Sequence, residues 1–236
     1  MCQACRPLLS RRLLLGGMGA AAALPSLGAL AAPTPAADAP NAIGGDAALK
    51  RLTAGNARYA ANKIDVHDFD VKRVARSKVQ HPIAAILGCA DSRVGPEFIF
   101  GQGPGELFVV RIAGNVLTEY GIASLEYATE VLGVPLILVL GHSGCGAVAA
   151  AIKSAQDGTP LPGHLPDLIG KITPAVTATK SVPAADQLSA AIAENVRLTV
   201  TQMVETGPLL SAAVASGKVK VAGGVYDIAT GKVKLL

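Results

Sequence analysis

Four short apolar runs, at residues 83–87, 107–112, 134–140 and 219–225, constrain this chain more than any other feature. Each has the length of a strand. Helical patterns alternate with them: GIASLEYATEVLG at 121–133 and DQLSAAIAENVRLTVTQMVETG at 186–207. A third, at 46–63, precedes the first run, with Asp46 as its expected N-cap. Strands that alternate with helices pair in parallel, because each helix carries the chain back across the sheet. The expected fold is therefore α/β, a mostly parallel central β-sheet flanked by helices. A turn at Thr230 and Gly231 leads into an expected antiparallel C-terminal edge strand. The Pro-rich stretch 156–185 reads as a loop with one short helix.

The start of the chain is of another kind. SRRLLLGGMGAAAALPSLGALAAP carries paired Arg11 and Arg12, a Gly/Ala-rich apolar stretch, and small residues at 29–31. This is the layout of an export signal. The arginine pair points to the twin-arginine type, which exports folded proteins; an ordinary secretory signal or an uncleaved anchor are the alternatives. Residues 1–31 then form the signal, 32–45 a flexible Pro/Ala/Gly linker and 46–236 the functional domain. The mature protein is expected to be periplasmic or otherwise exported.

Cleavage after Ala31 removes Arg6, Arg11 and Arg12, leaving 18 of the 21 basic residues against 17 acidic ones. That balance, in a chain without Trp, provides no basic and aromatic surface for nucleic acid. No apolar stretch in the mature chain approaches the roughly 20 residues of a spanning helix. No stable membrane span is expected.

Cys2 and Cys5 fall in the signal, so two cysteines remain. The first lies in GCADSRVG at 88–95, where Cys89, Asp91 and Arg93 alternate as in an extended segment. The second lies in GHSGCGAV at 141–148, before a helix. Both stretches follow expected strands, at the edge where open parallel sheets bind ligands. In an oxidising compartment two cysteines pair by default. A disulfide leaves Asp91 and Arg93 unexplained, as it does Gly144 and Gly146 around Cys145. The H-x-x-C spacing of His142 and Cys145 lets both aim at one centre, which Cys89 can reach from the neighbouring strand. Two thiolates and one imidazole make a three-ligand zinc site with an open fourth position. A cysteine-phosphatase loop needs a longer spacing than Cys89 to Arg93 provides.

CADSR at 89–93 together with HSGCG at 142–146 resembles the paired motif of β-class carbonic anhydrases. The resemblance runs on through GELFVVRIAGN, SLEYATEVLGV and GGVYDIATGKV, and covers the chain from about residue 46 to the end. It implies one zinc per subunit, held by Cys89, His142 and Cys145, and an Asp91–Arg93 dyad. It implies reversible hydration of carbon dioxide to bicarbonate by zinc-bound hydroxide. Gln80, Phe108 and Tyr127 match the substrate pocket of the plant-type subclass, to which the backbone at Gly146 adds positive potential. In that family the aromatic pair comes from the neighbouring subunit, which implies a homodimer or higher homo-oligomer. A second, bicarbonate-inhibited subclass has a tryptophan at the position of Ile86; this chain has none, although Arg111 matches an arginine of that pocket. The open-site form is expected.

On this reading Asp91 orients the nucleophile, and Arg93 keeps Asp91 ionised and off the metal. Gln80 would donate a hydrogen bond to carbon dioxide or bicarbonate. The rival functions are hydrolysis of CS2 or carbonyl sulfide on the same zinc, and a zinc-binding protein without catalysis.

Overall fold

The computed structural model describes residues 39, 41–63, 73–158 and 160–236. The expected signal at 1–31, and most of the linker, lie outside the described residues. The strands are β1 (Ala84–Gly88), β2 (Leu107–Arg111), β3 (Leu136–His142), β4 (Lys220–Tyr226) and β5 (Val233–Leu235). They form one sheet in the order β2, β1, β3, β4, β5. The first four are parallel and β5 runs antiparallel to β4, as expected.

Strands β1 and β3 are buried along their whole length, and successive residues face opposite sides of the sheet. On one side Ala85, Leu87, Ile137 and Val139 pack with Leu125 of α4 (Glu119–Glu130), Val196 of α8 (Ala184–Glu205) and Leu210 of α9 (Leu209–Ala215). On the other, Ala84, Ile86, Leu138 and Leu140 pack with Leu52 of α1 (Gly45–Ala60) and with Phe100, which follows α3 (Pro96–Ile99). Burial on both faces is why these runs are continuously apolar. A four-residue helix, α2 (Arg73–Arg76), precedes β1. No helix among the described residues is long and apolar enough to cross a membrane.

The strand order places the site. The chain leaves β1 for β2 on one side, and leaves β3 for β4 on the other. The C-terminal ends of β1 and β3 lie side by side, with Gly88 opposite Leu140. Such a reversal opens a crevice between strand ends, where ligands bind.

Two local expectations are corrected. Helix α1 is capped by Gly44 with no side-chain bond, not by Asp46. A Cβ at Gly45 would lie 2.5 Å from Lys220 Cβ. The start of α1 thus abuts β4, and the Asp46 carboxylate is drawn to Lys220 Nζ at 2.5 Å. The stretch 156–185 holds two short helices, α6 (Leu165–Gly170) and α7 (Thr173–Ala178), where one was expected. Each has a proline in its first turn, where a missing N–H is tolerated. Ile169 of α6, Val176 of α7 and Ile172 between them bury against α5 (Gly146–Asp157) and α8.

Candidate metal centre

Cys89 follows the last residue of β1, His142 ends β3, and Cys145 caps the start of α5. Gly144, with φ of 65°, takes a left-handed turn that reverses the chain between His142 and Cys145. The end of β4 braces this turn: Ser143 N–H donates to the Tyr226 carbonyl at 2.8 Å, and Ile228 N–H donates to Ser143 Oγ at 3.0 Å. One donor atom from each of Cys89, His142 and Cys145 lies within 4.8 Å of the others, and all three residues are buried. Both cysteines are free thiols.

The donor set fits a metal ion. His142 Nδ1 lies 3.0 Å from the Ser143 carbonyl, which can only accept, so Nδ1 carries the proton. Nε2 then presents a lone pair, and it is buried with no hydrogen-bond partner. An orphaned buried acceptor is costly unless something binds it. Two sulfurs and this nitrogen are the ligand types zinc prefers, at about 2.3 Å and 2.0–2.1 Å.

The electrostatics agree. The Cys89 thiol is pulled down, first by its hydrogen bond with Cys145, and against burial also by His142 and by backbone N–H groups at Asp91 and Gly114. Cys145 is pushed up, because it keeps the shared proton and is buried. Burial lowers the proton affinity of His142, but the Cys89 sulfur and the Ser143 carbonyl raise it further, for a net upward shift. The cluster attracts positive charge.

Beside it, Asp91 and Arg93 form a two-pronged ion pair. Arg93 Nε donates to Oδ1 at 2.9 Å and Nη2 to Oδ2 at 2.7 Å, while the Arg93 backbone N–H also donates to Oδ1, at 2.9 Å. The Arg93 guanidinium holds the Asp91 carboxyl well below the usual carboxylate range. Asp91 Oδ2 lies 3.9 Å from His142 Nε2. The two residues do not meet through strand alternation. Val94 N–H donates to the Asp91 carbonyl at 3.0 Å, so a turn folds Arg93 back over Asp91.

The remaining expected residues lie as follows. Gly146 is the first residue of α5. Phe108 on β2 and Tyr127 on α4 form a tilted ring pair, with centroids 6.3 Å apart. Phe108 is half-buried, and Tyr127 is 47% exposed on the isolated chain. Gln80 is exposed between α2 and β1. Among the described residues, no hydrogen bond joins Gln80 to the cluster.

In outline the chain resembles the solved structure of a Coccomyxa β-carbonic anhydrase in complex with acetazolamide, with a TM-score of 0.61 and 28% identity, over 80% of this chain and 81% of that one. A carbonic anhydrase from Mycolicibacterium smegmatis is 36% identical over 191 residues, covering 80% of this chain and 92% of that protein. Carbonic anhydrase 2 from Mycobacterium tuberculosis is 38% identical over 192 residues, covering 80% and 91%. The family model described as carbonic anhydrase matches residues 84–233. The chain belongs to the β-class carbonic anhydrase family. The family match spans all three donors and the Asp91–Arg93 pair, and Gln80 stands just before it.

Three further residues shape the centre. Arg111 Nε donates to the Cys89 carbonyl at 2.9 Å and Nη2 to the Asp91 carbonyl at 2.5 Å. Arg111 thus secures the loop that carries both side chains, which sequence similarity to another subclass's pocket did not suggest. Gly114 N–H donates to Cys89 Sγ at 3.3 Å, and Asn195 Nδ2 donates to the Gly114 carbonyl at 2.8 Å. A backbone donor has no residue signature, and one polar residue in a long helix reads as surface. Asn195 is instead 3% exposed.

Proposed function

We propose that this chain catalyses the reversible hydration of carbon dioxide to bicarbonate and a proton, as a zinc-dependent carbonate dehydratase. The observation that carries this reading is the buried Cys89–His142–Cys145 cluster with its unpartnered His142 Nε2, set beside the clamped Asp91. Cys89, His142 and Cys145 would hold the zinc. When bound, zinc is a Lewis acid that lowers the pKa of water to roughly 7 and so makes a nucleophile available near neutral pH.

The chain's own residues do the rest. Asp91 is ionised, and Oδ2 accepts a hydrogen bond from the O–H of the attacking nucleophile, which turns an oxygen lone pair toward the carbon of the substrate. Arg93 and its backbone N–H occupy both carboxylate oxygens. Rotating Asp91 onto the metal would break all of these bonds at once. The amides at the start of α5, around Gly146, add positive potential where negative charge develops on the substrate. Gln80 would bind a substrate oxygen.

The finer reading is an open-site, plant-type enzyme that works as a homodimer or higher homo-oligomer. Ile86 sits in the core where the inhibited subclass has tryptophan, and Arg111 is engaged by two backbone carbonyls, not free to bind an anion. Oligomer formation is supported by the exposed Tyr127 and by Phe108 on β2, which is an edge strand of the sheet. Export by the segment at 1–31 is supported by Arg11 and Arg12, and by two buried thiols that metal uptake before export would protect.

Stopped-flow hydration of carbon dioxide, with CS2 hydrolysis assayed on the same preparation, tests the function. Fast hydration with little CS2 turnover is expected. Preferential CS2 turnover, or bound zinc with neither activity, would overturn it.

A further inference from the structure

Asn195 stands out on α8. It is buried in the middle of a helix whose neighbouring inward positions are Ala191, Ile192, Val196 and Thr199. A buried amide is tolerated only where it makes its hydrogen bonds. The bond it makes, to the Gly114 carbonyl at 2.8 Å, crosses from α8 to the turn after β2. That turn, Ala113–Asn115, is an unusual piece of chain. Gly114 has φ of 73° and Asn115 has φ of 46°, so two successive residues are left-handed. A Cβ on Gly114 would lie 2.6 Å from Ile172 Cδ1. Ile172 Cδ1 is the movable end of a side chain, so it is chiefly the left-handed φ that favours glycine, the residue with the freest backbone.

The Gly114 N–H points at Cys89 Sγ, 3.3 Å away and buried. The direction of that N–H depends on how the turn is held, and the hydrogen bond from Asn195 pins its far side. N–H donors withdraw density from a thiolate and weaken its donation to a metal. This matters in a site with two thiolates, which already offset the charge of a divalent ion.

We propose that Asn195 is a positioning residue for the metal centre: it holds the Gly114 N–H on the Cys89 sulfur and thereby tunes that thiolate as a ligand. This rests on the reading of Cys89, His142 and Cys145 as metal ligands. A residue that merely stabilised the fold would change the melting temperature and leave the metal–sulfur signature alone.

Wild-type protein substituted with 113Cd reads the bond directly, through scalar coupling between the metal and the Gly114 amide proton across the sulfur. The same protein with Co2+ reports the sulfur-to-metal charge-transfer band. The wild type should show the Gly114 coupling. Asn195→Leu, similar in size and apolar, should lose it and move the band to lower energy, with metal stoichiometry retained. If Asn195→Leu does not fold, the smaller and still polar Asn195→Ser carries the same comparison. Stoichiometric cadmium without coupling to Gly114, or a folded variant with wild-type coupling and band, would overturn the role of Asn195 alone. A wild type that takes up no metal would overturn the metal centre and the role together.

Discussion

Arg93 grips Asp91 by both carboxylate oxygens, at 2.9 and 2.7 Å, within a turn that also brings its backbone N–H onto Oδ1. An exposed ion pair by itself adds little stability, so the consequence of this grip is orientation. In Arg93→Ala the carboxylate is released and would compete for the open position on the metal that Cys89, His142 and Cys145 would hold. Turnover should fall by about 10–100-fold, the usual cost of losing a group that orients a metal site. Zinc content should stay near that of the wild type. Stopped-flow rates and elemental analysis on one sample check both, and an unchanged rate would argue against the clamp.

Cys89→Ser replaces a thiolate by a hydroxyl that ionises poorly and binds zinc weakly. Stoichiometric zinc and hydration activity should both be lost. Elemental analysis after dialysis measures this, and full zinc retention would remove Cys89 from the ligand set.

Phe108 and Tyr127 offer aromatic surface on the isolated chain next to the open edge of the sheet. The double substitution Phe108→Ala and Tyr127→Ala should weaken self-association by at least about 10-fold, since buried aromatics dominate such interfaces. Light scattering across a concentration series would show it. Hydration should fall while zinc is retained. An unchanged oligomer would place the interface elsewhere.

Gly55 on α1 has no room for a side chain: a Cβ there would lie 1.8 Å from the Phe100 carbonyl oxygen. Gly55→Ala must push α1 away from the segment after α3. A loss of about 1–3 kcal/mol, or more, is expected from such overpacking. Urea unfolding measures it, and a midpoint equal to that of the wild type would contradict the close approach.

The centre was legible where chemistry resides in side chains. Cys89, Asp91 and Arg93 stand out by their residue types, H-x-x-C spacing pairs His142 with Cys145, and the fold brings all five side chains together. The strands were legible because burial on both faces leaves an uninterrupted apolar run, although β3 extends to His142 and so ends in a member of the buried cluster. What escaped depends on partners distant in sequence. The Gly114 N–H is an ordinary amide until the fold aims it at Cys89. Asp46 carries the signature of a cap, but α1 starts one residue earlier, at Gly45, where the helix packs closely against Lys220 of β4. The helices of 156–185 are too short to show a period and are stabilised by burial against α5 and α8. Asp91 and Arg93 were found for an incomplete reason, since a turn rather than an extended segment joins them.

Removing zinc from the native protein with a chelator, then restoring it stepwise, tests the central claim most directly. Metal content and carbon dioxide hydration should be measured on each aliquot. Activity is predicted to fall and return in proportion to zinc, reaching its full value as the Cys89–His142–Cys145 site fills. Hydration that persists in zinc-free protein, or a fully loaded protein that does not hydrate carbon dioxide, would contradict it.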